Sequence, residues 1–137
     1  MARVMLPLLG GLLYEKNMQS FFKHKPKLNM DLLKLEEFTE YFNSRQFEKC
    51  NQTIDQLVHY EERELGEGLR KIISSVIKIK AGNFGGANIH MEEGLKKLVP
   101  FRHLLEKHLP GFLRDLKDLQ TKLKTGKTDL PTLKFRN

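Results

Sequence analysis

Cysteine occurs once in the 137 residues, at Cys50, so no intrachain disulfide can form, which fits a reducing compartment. A lone thiol in an apolar pattern reads as a small buried residue rather than a nucleophile. Apolar runs long enough to span a bilayer are missing too: Val4 to Leu13, in "MARVMLPLLGGLLYEKN", is too short, and no small-x-small cleavage site follows it. Secretion is therefore not expected. Strand-like alternation and low-complexity tracts are absent, and so are the phosphate-binding loops that join a strand to a helix through Gly-x-Gly-x-x-Gly or Gly-Lys-Ser/Thr. "GKT" at 126–128 has neither the upstream glycine nor a preceding strand. Nothing resembles a Ser-His-Asp or Cys-His constellation. What remains is a chain of a length that suits one domain, able to bury a core without disulfide or metal.

Charge is plentiful and unevenly placed. Residues 1–30 carry five basic and one acidic side chain, 31–68 four and ten, and 69–137 fifteen and six, so the local balances are +4, −6 and +9 within a net +7. An acidic middle followed by a basic second half predicts a polarised surface.

The apolar positions predict helices throughout. "HKPKLNM" at 24–30 reads as a linker, after which Asn29 or Asp31 can cap a first helix over 31–43 with Leu32, Leu35, Phe38 and Phe42 on one stripe. Phe47, Cys50, Ile54, Leu57 and Val58 mark a second, from about 46 to 60. A third, about 64–81, buries Leu65, Leu69, Ile72, Ile73, Val76 and Ile77, and its three-four spacing persists too long for a strand. Ala87, Met91, Leu95, Leu98 and Leu105 define a fourth that kinks or restarts at Pro100. "LPGF" at 109–112 stops it, and Phe112, Leu116, Leu119 and Leu123 mark a fifth. The expected organisation is an N-terminal arm and linker (1–30), a helical domain (31–124) and an extended C-terminal tail (125–137).

Two segments repeat one another at an offset of 37 residues: Phe47, Cys50, Ile54 and Leu57 correspond to Phe84, Ala87, Met91 and Gly94–Leu95. Each follows a short polar turn and places a small residue three positions after a phenylalanine. This spacing predicts an all-α bundle of two tetratricopeptide-like antiparallel helix hairpins plus a C-terminal helix, with small residues letting helices approach. Gly82, Asn83, Gly86 and Ala87 then form a structural turn: Gly82 in the left-handed conformation that ends a helix, Gly86 permitting close backbone packing.

With "RQFEKCNQTIDQL" at 45–57, "EGL" at 67–69, "GN" at 82–83 and "GA" at 86–87 in place, the chain over about 36–123 resembles the helical family known as domain of unknown function 309. The resemblance implies that family's helical fold and no defined reaction. It departs where the family has His-Glu on its second helix: here stand Asn51 and Gln52, and the family's tryptophan is missing. Two amides neither bind metal as an imidazole and carboxylate would nor move protons at neutral pH.

Of the five histidines, at 24, 59, 90, 103 and 108, the pair His103 and His108 is five apart, which turns them to different helix sides. His59, Glu61, Glu62 and Glu64 read as a charged helix end. No catalytic, cofactor-binding or metal-ligating residue is expected, and no cofactor. Lys71, Lys78, Lys96, Lys97 and Lys117 head a basic surface that suits a phosphate backbone, but the cations spread over several helices without interleaved aromatic residues. The expected function is thus a non-catalytic protein-interaction or scaffold role within a larger complex. Docking falls to the apolar residues Val4, Met5, Leu6, Leu8, Leu9, Leu12 and Leu13 of the arm. Pro7, Gly10 and Gly11 weaken that segment as a helix. A nucleic-acid-associated accessory role through the basic half is the alternative, a vestigial or unrecognised hydrolase comes third, and peripheral membrane association is the minority reading of the arm. The cytoplasm or an organelle interior is expected; Lys- and Asn-rich usage and the resembled family's occurrence in photosynthetic lineages add the plastid stroma.

Overall fold

The computed structural model describes residues 31–57 and 63–137, and all regular structure among them is helical. The apolar arm, His24 and His59 lie outside the described residues. In chain order the helices are α1 (Leu32–Asn43), α2 (Phe47–Leu57), α3 (Arg63–Lys80), α4 (Phe84–Leu98), a 3-10 turn at Val99–Phe101, α5 (Arg102–His108) and α6 (Phe112–Leu123). None is long and apolar enough to cross a membrane among the described residues.

Each helix starts and stops for a local reason. Asp31 caps α1, its Oδ1 accepting from the backbone N–H of Leu33 at 3.0 Å and of Lys34 at 3.3 Å. Asn83 caps α4 through Oδ1, which accepts from the Gly86 N–H at 3.0 Å. Proline has no N–H and its ring crowds the carbonyl four residues back, so Pro100 ends α4 at Leu98 and the chain restarts as α5 after one tight turn. The fourth apolar stripe is therefore two helices, and α5 is an element additional to the five expected.

The core is one cluster drawn from every helix: Leu35, Phe38 and Phe42 of α1, Cys50 and Ile54 of α2, the α3 stripe, Ala87, Met91 and Leu98 of α4, and Leu105, Leu116 and Leu119 beyond. Burying each Leu, Ile or Phe contributes about 1.5–3 kcal/mol, so these stripes decide the packing. Helices α1 and α2 run antiparallel, since Phe42 stacks edge-on against Phe47 at 5.5 Å while Phe38 lies opposite Cys50. Helices α3 and α4 also run antiparallel, Ile72 facing Gly94 and Ser75 facing Ala87, and theirs is the most extensive helix contact in the bundle.

That α3–α4 contact depends on glycines other than the one singled out from sequence. A Cβ at Gly94 would sit 2.8 Å from Ile72 Cδ1 and 3.1 Å from the Gly68 carbonyl oxygen, and one at Gly68 would sit 2.7 Å from Leu98 Cδ2. A methyl at Gly94 would press on the α3 backbone, and one at Gly68 would displace the Leu98 side chain. A Cβ at Gly86 would instead meet the capping side chain of Asn83, at 2.8 Å, and Lys78, at 3.0 Å. Its small size serves the cap rather than a backbone approach.

Candidate functional site

The turn at Ser44–Gln46 and the turn at Ala81–Asn83 have the same hydrogen-bond geometry. In the first, the Arg45 N–H donates to Phe42 O at 3.0 Å and the Gln46 N–H to Tyr41 O at 2.8 Å. In the second, the Gly82 N–H donates to Ile79 O at 3.0 Å and the Asn83 N–H to Lys78 O at 2.8 Å. This is the paired closure that satisfies the last carbonyls of a helix, and it requires a left-handed residue after the helix. Gly82 supplies it with φ 81°; Arg45 supplies it with φ 65° despite its Cβ.

Arg45 is held there by what its side chain does. Its guanidinium lies 5.9 Å from the centre of the Phe42 ring, and Nη1 donates to Phe42 O at 3.2 Å and Pro131 O at 3.3 Å, while Nη2 donates to Leu130 O at 3.3 Å. Two residues earlier, at the end of α1, Asn43 makes a paired contact with one residue of the tail. Its Nδ2 donates to Leu133 O at 3.0 Å and its Oδ1 accepts from the Leu133 N–H at 2.7 Å. The tail then reaches the end of α5: the Arg136 N–H donates to His108 O at 2.8 Å, and His108 Nδ1 donates to Arg136 O at 3.0 Å. Arg136 Nε adds a bond to Lys107 O at 2.9 Å.

Residues 130–136 thus form a strap from α1 to α5. From Pro131 onward its burial alternates: Pro131, Leu133 and Phe135 turn inward, Thr132, Lys134 and Arg136 outward. That period of two marks extended chain. Leu133 is the anchor, buried to 5% exposure in the core cluster, with Leu130 and Phe135 partly buried beside it. Main-chain groups of 130, 131, 133 and 136, the apolar side chains of Leu130, Leu133 and Phe135, and the Arg136 guanidinium all take part in holding the strap to the bundle.

The basic residues form no single face. Lys71 Nζ sits 2.9 Å from Glu93 Oε1, and Lys97 Nζ sits 3.2 Å from both Glu64 Oε1 and Glu67 Oε1, so two of the five cations bridge α3 and α4. The hydrogen bond and charge of Lys71 lower the Glu93 carboxyl below its ordinary value, and hydrogen bonds from Glu64 and Glu67 raise the Lys97 ammonium above its own. The stem of Lys78 covers Gly86, while Lys96 and Lys117 are exposed on α4 and α6. Arg70 pairs with Asp55 across α2 and α3.

Cys50 is fully buried, its thiol 3.7 Å from Phe38 O, and burial pushes its pKa up to about 12. It is no thiolate at neutral pH. No group of three or more His, Cys, Asp or Glu side chains is placed to hold a metal ion among the described residues. A shallow depression of about 390 Å³, lined by Arg45, Phe47, Glu48, Ile77, Lys80 and Ala81, opens beside the first turn, with Lys80 Nζ 5.7 Å above the Phe47 ring. Asn51 and Asn88, which the 37-residue offset relates, each bury an Oδ1 that lacks a hydrogen-bond partner, and nothing in the structure explains the pair. Family models, curated proteins and solved structures show no match to the chain.

Sequence reasoning gives no role to Asn43 or Arg45 and weighs His108 only as a metal ligand. One signal was present: aligning the two turns sets Arg45 against Gly82, and an arginine where the backbone wants glycine points to a side chain with other work.

Proposed function

We propose that the chain is a non-catalytic protein-interaction or scaffold subunit of a larger complex. The observation that supports this reading is that several polar and reactive groups along the helix seams are committed to packing. Cys50 is sealed, Ser75 Oγ donates to Ala87 O at 2.6 Å inside the core, and Lys71 and Lys97 hold α3 to α4. Surface apolar side chains support it further, Leu33 being 75% exposed and Ile89 59%. The tetratricopeptide-like pairing of hairpins and the resemblance to domain of unknown function 309 belong to the same proposal, as does docking through Val4–Leu13. A cytoplasmic or organelle-interior location, the plastid stroma included, goes with it.

The test is native isolation of the tagged full chain, comparing the wild type with a Leu8→Asp, Leu12→Asp variant. The expected result is one stoichiometric protein partner that the variant loses. The second reading, a nucleic-acid accessory role, rests on the +9 balance of residues 69–137. It predicts co-purifying nucleic acid released steeply by salt, because each neutralised phosphate returns a counterion on dissociation.

A further inference from the structure

We propose that the outward line of α1, Leu33, Glu36, Glu40 and Asn43, docks on the outward line of α6 and its end, Arg114, Lys117, Thr121 and Lys124, of a second copy of this chain. The proposal goes beyond the interaction reading, because a contact between copies stands with or without a different partner protein. Three observations carry it. First, both lines step by three, four and three residues, which keeps each on one side of its helix, and all eight residues are exposed. Second, the charges match: the α1 line holds two carboxylates and no cation, the α6 line three cations and no carboxylate. Their neighbours leave those signs standing. Lys34 turns to Glu37 at 3.4 Å, Arg114 lies 3.6 Å from Asp115, and Asp118 is offset by Lys122 on the flank of α6. The strap bonds to the α1 line at Asn43, the end farthest from Leu33, and its Lys134 points outward there. Third, the corresponding side of α3 already packs a helix. At the offset of 37 residues Leu33 and Glu40 match Arg70 and Ile77, and these face α2, Arg70 through its ion pair with Asp55 and Ile77 beside Phe47. No helix covers that side of α1 among the described residues, and Leu33, 75% exposed, gives it an apolar end that leaves water on docking.

Two copies carrying +7 each repel at long range, but charge is screened over about 8 Å at physiological ionic strength, so the side chains that touch decide the outcome. Two helix lines bury less than the roughly 1,600 Å² of a standard interface, and a dissociation constant of about 100 µM is expected. The experiment is sedimentation equilibrium of the full chain, from about 10 to about 300 µM in about 0.15 M salt. The wild type is expected to rise above its 16.0 kDa monomer mass with concentration. Glu36→Lys with Glu40→Lys raises the net charge to +11, and Lys117→Glu with Lys124→Glu lowers it to +3, yet each pair is expected to weaken association by about tenfold. All four changes together restore +7 with the signs of the two lines exchanged, and association is expected to return. Exposed Glu and Lys have similar helix propensities; should circular dichroism show a pair unfolded, the Gln substitutions at the same positions replace it, with the same direction expected. A chain that stays monomeric over this range overturns the proposal, as does a +3 variant that associates as well as wild type or a fourfold variant that stays monomeric. Association indifferent to both pairs also overturns it, the arm then being what joins the copies. If the chain alone stays monomeric while native isolation captures a different protein, the interaction reading stands and this interface falls. If association follows the charge exchange while no other protein is captured, the interface stands and the interaction reading falls.

Discussion

The helix pair α1–α2 and the helix pair α3–α4 make one kind of contact in two ways. Position 38 faces position 50 in the first, and 75 faces 87 in the second, 37 residues on in each case. In the first, the thiol of Cys50 on the second helix approaches the carbonyl of Phe38 on the first; in the second, the hydroxyl of Ser75 on the first helix donates to the carbonyl of Ala87 on the second. The contact is kept and its direction is reversed. Around it the fillings differ. Phe38, Phe42 and Phe47 hold α1 and α2 apart with rings, while Gly68, Ser75, Ala87 and Gly94 let α3 and α4 close on one another. The close-packed hairpin has a glycine turn, whereas the aromatic one turns on Arg45, which also holds the strap.

The comparison is broken most severely at its spacers. Phe38→Ala would leave a ring-sized void between α1 and α2, and the expected loss is about 4 kcal/mol in urea unfolding, from lost transfer energy plus the residual cavity. Gly94→Ala adds volume instead of removing it. The new methyl meets the end of the Ile72 side chain, which can rotate, but also the Gly68 carbonyl, which cannot move without its helix, so about 2 kcal/mol is expected. If Gly94→Ala were neutral, the tight approach of α3 and α4 would not be a packing constraint.

Much of this fold was legible because burial and helical period are coupled: a stripe such as Leu35, Phe38 and Phe42, or Ile72, Ile73 and Val76, has one reading once it repeats every three or four residues. Pro100 and Gly82 were legible for local backbone reasons. The constraints that join separate elements were not. That Gly68 and Gly94 meet, or that Lys71 finds Glu93 and Lys97 finds Glu64, depends on the register of α3 against α4, which no local pattern encodes. The strap was harder still. Its bonds to Asn43 and Arg45 use carbonyls and N–H groups that every residue has, so those contacts leave no mark in the sequence.

The sealed thiol gives a test of the first hairpin by pH. Burial raises Cys50 from an ordinary 9.0 to about 12, so the folded chain keeps a proton that the unfolded chain loses above pH 9. Stability from this group is therefore full below pH 9 and falls as pH rises through the window up to about 12. At pH 10 the expected loss is about 1 kcal/mol, taken as the difference in pH dependence between wild type and Cys50→Ala. Identical slopes would mean that the thiol is open to solvent.

The smallest effects lie in the two turns, and they differ in kind. Nothing stands within 4 Å of a Cβ at Gly82, so Gly82→Ala probes the left-handed backbone alone, and a loss of about 1 kcal/mol is expected. Arg45→Gly relieves the corresponding strain at φ 65° but gives up the ring contact and the bonds to 130 and 131. These contributions are of similar size, about 1 kcal/mol each way, so global stability should stay within about 0.5 kcal/mol of wild type. The strap should respond when the fold does not: amide exchange at 132–134 is expected to quicken by about tenfold, while α3 amides keep their rates. An Arg45→Gly chain that is clearly more stable and whose strap exchanges as slowly as before would show that the arginine holds nothing, and that the first turn differs from the second only in carrying uncompensated strain.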